Sequence, residues 1–187
     1  MTTFTTSVAA SADDAQELAG INTTNGANLN ANAANHLIGL RFTGVTVPPG
    51  STINNAYLTV SITSGSYDDP IVTIRGSGEA NPATFNTDAN HLTNRTKTSA
   101  SVAWSATGLG TGDENTPELK TLVEEIIAIP SWASGNAMAF YITGSSGSAL
   151  RFTSYDNGSG IPSLTIDYTA PSSGGQPRRT LHQFRMR

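Results

Sequence analysis

The chain has no cysteine among its 187 residues. That excludes disulfide frameworks, thiolate metal sites and cysteine nucleophiles together. Charge is sparse as well. Asp, Glu, Lys and Arg make up only 13% of the chain, and Thr, Ser, Asn, Gly and Ala fill the polar positions instead. Such surfaces are common in extracellular β-proteins and virion proteins and uncommon in cytosolic enzymes. No stretch approaches the ~20 apolar residues a membrane span needs. The opening segment, from Met1 through Asp14, has neither the basic nor the apolar region of a secretory signal. The expectation is either a signal already removed or synthesis inside a cell with release by another route, such as viral lysis. Finally, acids are missing beyond Asp167, and that absence divides the chain electrostatically.

Residues 1–170 hold all fourteen acids but only six of the ten basic residues, a net charge of −8. Arg178, Arg179, Arg185 and Arg187 give the last segment +4. The length suits one domain with a core of useful size. The division is therefore a domain over 1–170 and a linker with a basic docking arm over 171–187. The linker, Ala170 to Pro177, has Gly, Ser and Pro but no packing residues.

Within the domain, apolar and polar residues alternate. Ile38, Leu40 and Phe42 form one apolar set, Leu58, Val60 and Ile62 a second. Met138, Phe140 and Ile142 form a third, Leu164, Ile166 and Tyr168 a fourth. Period two is the signature of half-buried antiparallel strands. Shorter strands are expected at Phe4–Val8, Ile71–Arg75, Val102–Trp104 and Leu150–Thr153. Turn residues separate them, as at Pro48-Pro49-Gly50 and Asn157-Gly158. One segment has a helical period instead. Leu119, Leu122, Val123, Ile126 and Ile127 make a single stripe. Thr116 is placed to cap it, Pro117 to open it and Pro130 to end it. The fold expected is all-β, a jelly-roll-like antiparallel sandwich with one short amphipathic helix at about 117–129 and an extended C-terminal arm. Lys120, Glu124 and Glu125 should face water. Residues 79–100 and 105–115 read as ordered polar loops.

Several stretches resemble the DNRLRE-type domain, a β-sandwich of secreted bacterial proteins grouped with carbohydrate-binding modules. They are Ile38–Val60, with its Arg-Phe strand end and Pro-Gly turn, then Gly78–Phe85, Arg95–Trp104, Thr116–Gly147 and Ser154–Thr169. Each motif is loose; their order and spacing are more specific. The resemblance spans most of 35–169 and implies a jelly-roll-like sandwich with a non-catalytic role.

Candidate chemistry is thin. Trp104 and Trp132 suit a sugar-stacking platform, but packing at element ends is the stronger reading. Tyr67 and Tyr155 are better surface aromatics. Asp13-Asp14 with Glu17, Asp68-Asp69, Asp113-Glu114 and Asp156 offer oxygens for calcium. None has EF-hand spacing, and solvated or turn-forming acids are the simpler reading. No cofactor is expected, with a structural calcium left open. His36, His91 and His182 are scattered, away from metal-ligand spacing. The small-residue run at Gly144–Ser148 is a tight hairpin rather than a nucleophile elbow. An enzyme is therefore not expected.

The arm fits a protein partner. Leu181, Phe184 and Met186 supply apolar anchors, while Arg178, Arg179, Arg185 and Arg187 can pair with carboxylates. Four arginines are too few for a nucleic-acid arm against a body of −8. The function expected is a structural virion protein, a bacteriophage decoration or cement subunit, anchored by the arm to a capsid or other assembly subunit. A homo-oligomer is expected, without nucleic acid or membrane, at a virion or extracellular surface. The alternative is a carbohydrate-binding or adhesive module touching surface glycans.

Overall fold

Each alternating strand must bury one face, so the strands stack in two layers around a shared core. The computed structural model describes residues 1–31, 34–63, 71–106, 108–144 and 150–172. Among these residues, twelve strands form two antiparallel sheets. The first sheet runs in the order β1 (Thr2–Ser7), β12 (Ser163–Thr169), β6 (Thr52–Ile62), β11 (Leu150–Thr153) and β4 (Asn28–Ala31), with β9 (Gly112–Asn115) also paired to β6. The second runs β3 (Ile21–Thr23), β2 (Asp14–Leu18), β5 (His36–Phe42), β10 (Met138–Thr143), β7 (Ile71–Gly76) and β8 (Val102–Ser105). Among the described residues the chain is an all-β antiparallel sandwich with one α-helix, as the alternation predicts.

The core lies between the sheets. Leu58, Val60, Phe152, Leu164 and Ile166 face it from the first, and Ile38, Leu40, Phe42, Phe140 and Ile142 from the second. Phe42 and Phe140 meet edge to face, their rings 6.2 Å apart. Each buried side chain of this size contributes ~1.5–3 kcal/mol, so burial dominates over any surface ion pair. One register shift tunes the inner face. The pairing slips between Asp167 and Tyr168, placing Ile53 opposite Tyr168 while Asn55 stays opposite Asp167. The extra residue on β6 is a β-bulge, and it lets Ile53 and Ala56 both be buried although they are three apart.

The helix α1 spans Lys120–Ile127 and buries Leu122, Val123, Ile126 and Ile127. The stripe is as expected, but the start lies three residues after the predicted one. Backbone bonding to β6 explains the delay. Thr116 N–H donates to Leu58 O at 2.9 Å, and Leu119 N–H to Ala56 O at 2.7 Å. The chain is thus tied to β6 through Leu119 before the helix begins. Thr116 Oγ1 accepts the Leu58 N–H at 3.1 Å instead of capping. Glu118 takes over at the helix start, accepting the Lys120 N–H at 2.9 Å and the Ala56 N–H at 2.7 Å. Two other expectations change. The 105–115 loop contains β9, and β2, β3 and β4 are additional strands in a stretch where the alternation marked none.

Candidate functional site

The two sheets have opposite outer faces. On the second, most outward positions of β2, β5 and β10 are small or apolar, so they need a cover. Ala15, Leu37, Ala139 and Tyr141 form a second cluster there with Phe85 and Leu92 from the loop 79–100. That loop crosses the face as a strap. Gly39 permits it: a Cβ there would lie 2.7 Å from Phe85 Cζ and 2.9 Å from Leu92 Cδ2.

Charged side chains clamp the strap. Arg41, reaching outward from β5, pairs with Asp13 and donates from Nε to Pro82 O at 2.7 Å. Glu17, only 1% exposed, accepts the Leu92 and Thr93 N–H groups at 2.7 and 3.2 Å and the Thr93 hydroxyl. Lys97 donates to three carbonyls, those of Leu92, Thr93 and Arg95, with Nζ 5.0 Å from the centre of the Tyr141 ring. Burial lowers the Lys97 pKa and raises that of Tyr141 to about 12. Arg95 holds Glu79 at 3.2 Å and the Ala83 and Thr84 carbonyls at 3.1 Å, lying over the Phe85 ring. His91 meets Arg95 at 2.8 Å, and its pKa is lowered by burial and by that guanidinium.

The same strand β2 joins the two sheets at their edge. Antiparallel partners share a face. Asp14 opposes Leu40 and Gln16 opposes Ile38, so both point between the sheets. Gln16 Oε1 accepts the Asn30 backbone N–H at 2.8 Å and the Asn30 amide at 2.7 Å, reaching β4. Asp14 Oδ2 accepts the Tyr155 N–H at 2.7 Å, from the turn between β11 and β12. The Asp14 carboxyl is pushed up to about 7, chiefly by burial, and further by the acids Asp156 and Asp13.

The outer face of the first sheet is polar and uncovered among the described residues. Its rows cross the strands as Thr3, Asp167 and Asn55; as Thr5, Thr165 and Tyr57; and as Ser7, Ser163, Thr59 and Asn115. Neighbouring rows lie about 7 Å apart and neighbouring strands about 4.8 Å. Thr3 donates to Asp167, and Thr59 to Asn115 at 2.7 Å. These rows hold hydroxyls, amides, one carboxylate and a single half-buried phenol, Tyr57, at the centre.

The residues singled out from sequence fare unevenly. Trp104 and Trp132 are 3% and 4% exposed, and Trp132 Nε1 donates to Val47 O at 3.0 Å. They are core residues and no stacking platform. Tyr155 is half-buried against the core. Asp13, Asp14 and Glu17 correct the reading of solvated acids. All three are buried, because β2 sits between the core and the strap. Asp156 is exposed and accepts the Ser11 hydroxyl at 2.7 Å. Asp113 and Glu114 lie on β9. Lys120 and Glu124 pair at 3.7 Å on the partly exposed helix face. Glu125 does more than face water: its carboxylate accepts the Ala100 and Ser99 N–H groups, which lower its pKa.

Among the described residues, no group of three or more His, Asp or Glu side chains is placed to hold a metal. Arg178, Arg179, Leu181, Phe184, Arg185, Met186 and Arg187 lie outside the described residues, as do His182, Tyr67, Asp68, Asp69 and most of the Gly144–Ser148 run. Of the clamps that the sequence did not reveal, Arg41 and Glu17 carried one signal, charges at otherwise small or apolar outward strand positions, and Lys97, on the loop, carried none. A scan against protein-family models finds no match, and a search of curated proteins finds no relative.

Proposed function

We propose that the chain is a non-catalytic structural protein, a bacteriophage virion decoration or similar surface-assembly component. The sandwich is the displayed body, and the segment after residue 170 is the anchor to a capsid or other assembly subunit. One observation carries this reading. Sheet pairing is satisfied on both sides of β12, which ends at Thr169 between β1 and β6. The +4 segment beyond it, with Leu181, Phe184 and Met186, offers charge opposite to that of the −8 body and apolar side chains suited to a partner. Apolar anchors would bury against the partner, and the arginines would pair with its acids. The acids best placed for chemistry support the same view, since Asp13, paired with Arg41, and Glu17 are engaged in holding the strap. The resemblance to the DNRLRE-type sandwich points to a non-catalytic body too.

Deleting residues 171–187 should leave the thermal unfolding of the body unchanged and abolish incorporation into the parent particle. Full occupancy by the truncated protein would show that the anchor lies elsewhere.

A second reading, a carbohydrate-binding or adhesive module, is favoured by the outer face of the first sheet. Tyr57 is a ring on which a sugar can stack, and the surrounding hydroxyls and amides match a polyol. Retention on a glycan array that survives loss of 171–187 but not Tyr57→Ala would support it. No retention by the intact protein would remove it.

A further inference from the structure

We propose that β1 is the edge through which two copies of this chain pair, antiparallel about a two-fold axis, so that the first sheet continues from one copy into the other. The proposal extends the assembly reading above, on which it rests for the need of copies to associate; its geometry is independent of the C-terminal segment.

The strand β1 is outermost in the first sheet, with β12 on one side. In an antiparallel ladder, successive residues turn their backbone groups alternately toward the partner and away. Val8 N–H bonds to Pro162 O at 3.0 Å, one step beyond the Ser7–Ser163 pair. Val8, Thr6, Phe4 and Thr2 therefore face β12. Ser7, Thr5 and Thr3 aim their N–H and C=O groups at the open edge, six groups in all. None of these backbone groups is hydrogen-bonded by another described residue. Open edges of this kind are usually blunted by Lys, Pro or a bulge. The sequence Thr2-Thr3-Phe4-Thr5-Thr6-Ser7 contains none of these.

Charge selects a second copy as the occupant. A body of −8 repels its own kind. Two copies approach most easily where neither carries charge, and β1 is neutral along its length. The edge strand β9 carries Asp113 and Glu114 by contrast. The edge is also self-complementary. With Thr5 opposite Thr5, and Thr3 opposite Ser7 on both sides of the axis, all six outward groups pair. Any other same-face register leaves at least one of the three residues without its partner. In this register Phe4 lies opposite Thr6, both half-buried on the core side, so pairing covers an aromatic that the monomer leaves part-exposed. On the outer face the hydroxyl rows run on unbroken into the second copy.

The experiment uses the full chain. Sedimentation velocity should give twice the chain mass, and still twice that of the shortened chain after deletion of 171–187. Thr5→Pro removes an outward N–H and no bond to β12, a position where an edge strand tolerates proline. It should sediment as a monomer that still unfolds cooperatively. Because the chain has no cysteine, Thr5→Cys reports the register on a clean background. Opposed Cα atoms in such a pair are about 5.5 Å apart, within disulfide reach, so Thr5→Cys should oxidise to a covalent dimer. Thr2→Cys, opposite Val8 and about 20 Å from its equivalent at ~3.4 Å per residue, should not. A monomeric wild type, a folded Thr5→Pro dimer or a preference for the Thr2 cross-link would overturn the proposal. So would a dimer lost on deleting 171–187, which would assign the association to the arm.

Discussion

The outer faces of the two sheets differ, although the sheets share one core. The second sheet presents Ala15, Leu37, Ala139 and Tyr141 outward, and a strap covers them. The first presents Thr, Ser, Asn and Asp in rows, and no described segment covers these. Both arrangements follow from the alternate positions of the strands. An apolar outward set costs free energy until something is laid over it, and a polar outward set is satisfied by water. The strap brings a further requirement. Its loop backbone finds only scattered backbone partners, such as Ala12 O for the Phe85 N–H at 2.8 Å, so Arg41, Glu17 and Lys97 supply further donors and acceptors. One face is thereby closed with buried charge, and the other is left as free surface.

The largest break in this contrast should come from Arg41→Ala. Asp13 would be left buried without its cation and Pro82 O without its donor, a loss of about 3–5 kcal/mol by the usual cost of an orphaned buried charge. Urea unfolding would measure it. A loss below that of an exposed ion pair, ~1 kcal/mol, would show that the clamp is a surface contact.

Asp14 gives the next effect, dependent on pH. Its pKa is raised from 3.8 to about 7 in the folded chain. Below pH ~4 both states are protonated, and Asp14 costs nothing. Between the two values the unfolded chain ionises first, so stability falls as pH rises; above about 7 the cost is complete. Asp156 and Asp13 are the charged groups that act on it. Asp14→Asn should flatten that decline and stabilise the protein at pH 8 by on the order of 3 kcal/mol, with little gain at pH 4. Melting curves at the two pH values decide it, and an equal shift at both would contradict it.

Smaller effects test the two faces directly. Gly39→Ala drives a Cβ into Phe85 and Leu92 under the strap and should cost about 1–3 kcal/mol. Thr165→Ala on the open face should stay within ~0.5 kcal/mol. Similar values for both, from denaturant titration, would erase the contrast. The smallest change is expected from Tyr57→Ala, whose unfolding midpoint should move little even if glycan retention is lost.

The fold was legible where one face of a strand is apolar and the other polar. That held for β5, β6, β10 and β12. It failed for β2 because Asp14, Gln16 and Glu17 are polar on both faces. Their partners, Tyr155, Asn30 and Thr93, come from distant segments, and nothing local marks Asp-Ala-Gln-Glu-Leu as a strand. The helix stripe was legible, but its start was not, because Thr116 and Leu119 pair with β6 before the helix begins. Trp104 and Trp132 were read correctly as packing. Of the site, the basic segment could be read only as composition. The strap's cluster was hidden, since Gly39 and Phe85 are far apart in sequence and meet only across the sheet.

Amide hydrogen exchange at Leu92 and Thr93, whose N–H groups bond to buried Glu17, probes the closed face most directly. If the strap is part of the sandwich, these amides will exchange as slowly as those of Leu40 and Phe140 in β5 and β10, through the same cooperative opening. Exchange at the rate of an exposed turn such as Ser159 would contradict this, and would mean that the outer face of the second sheet is open too.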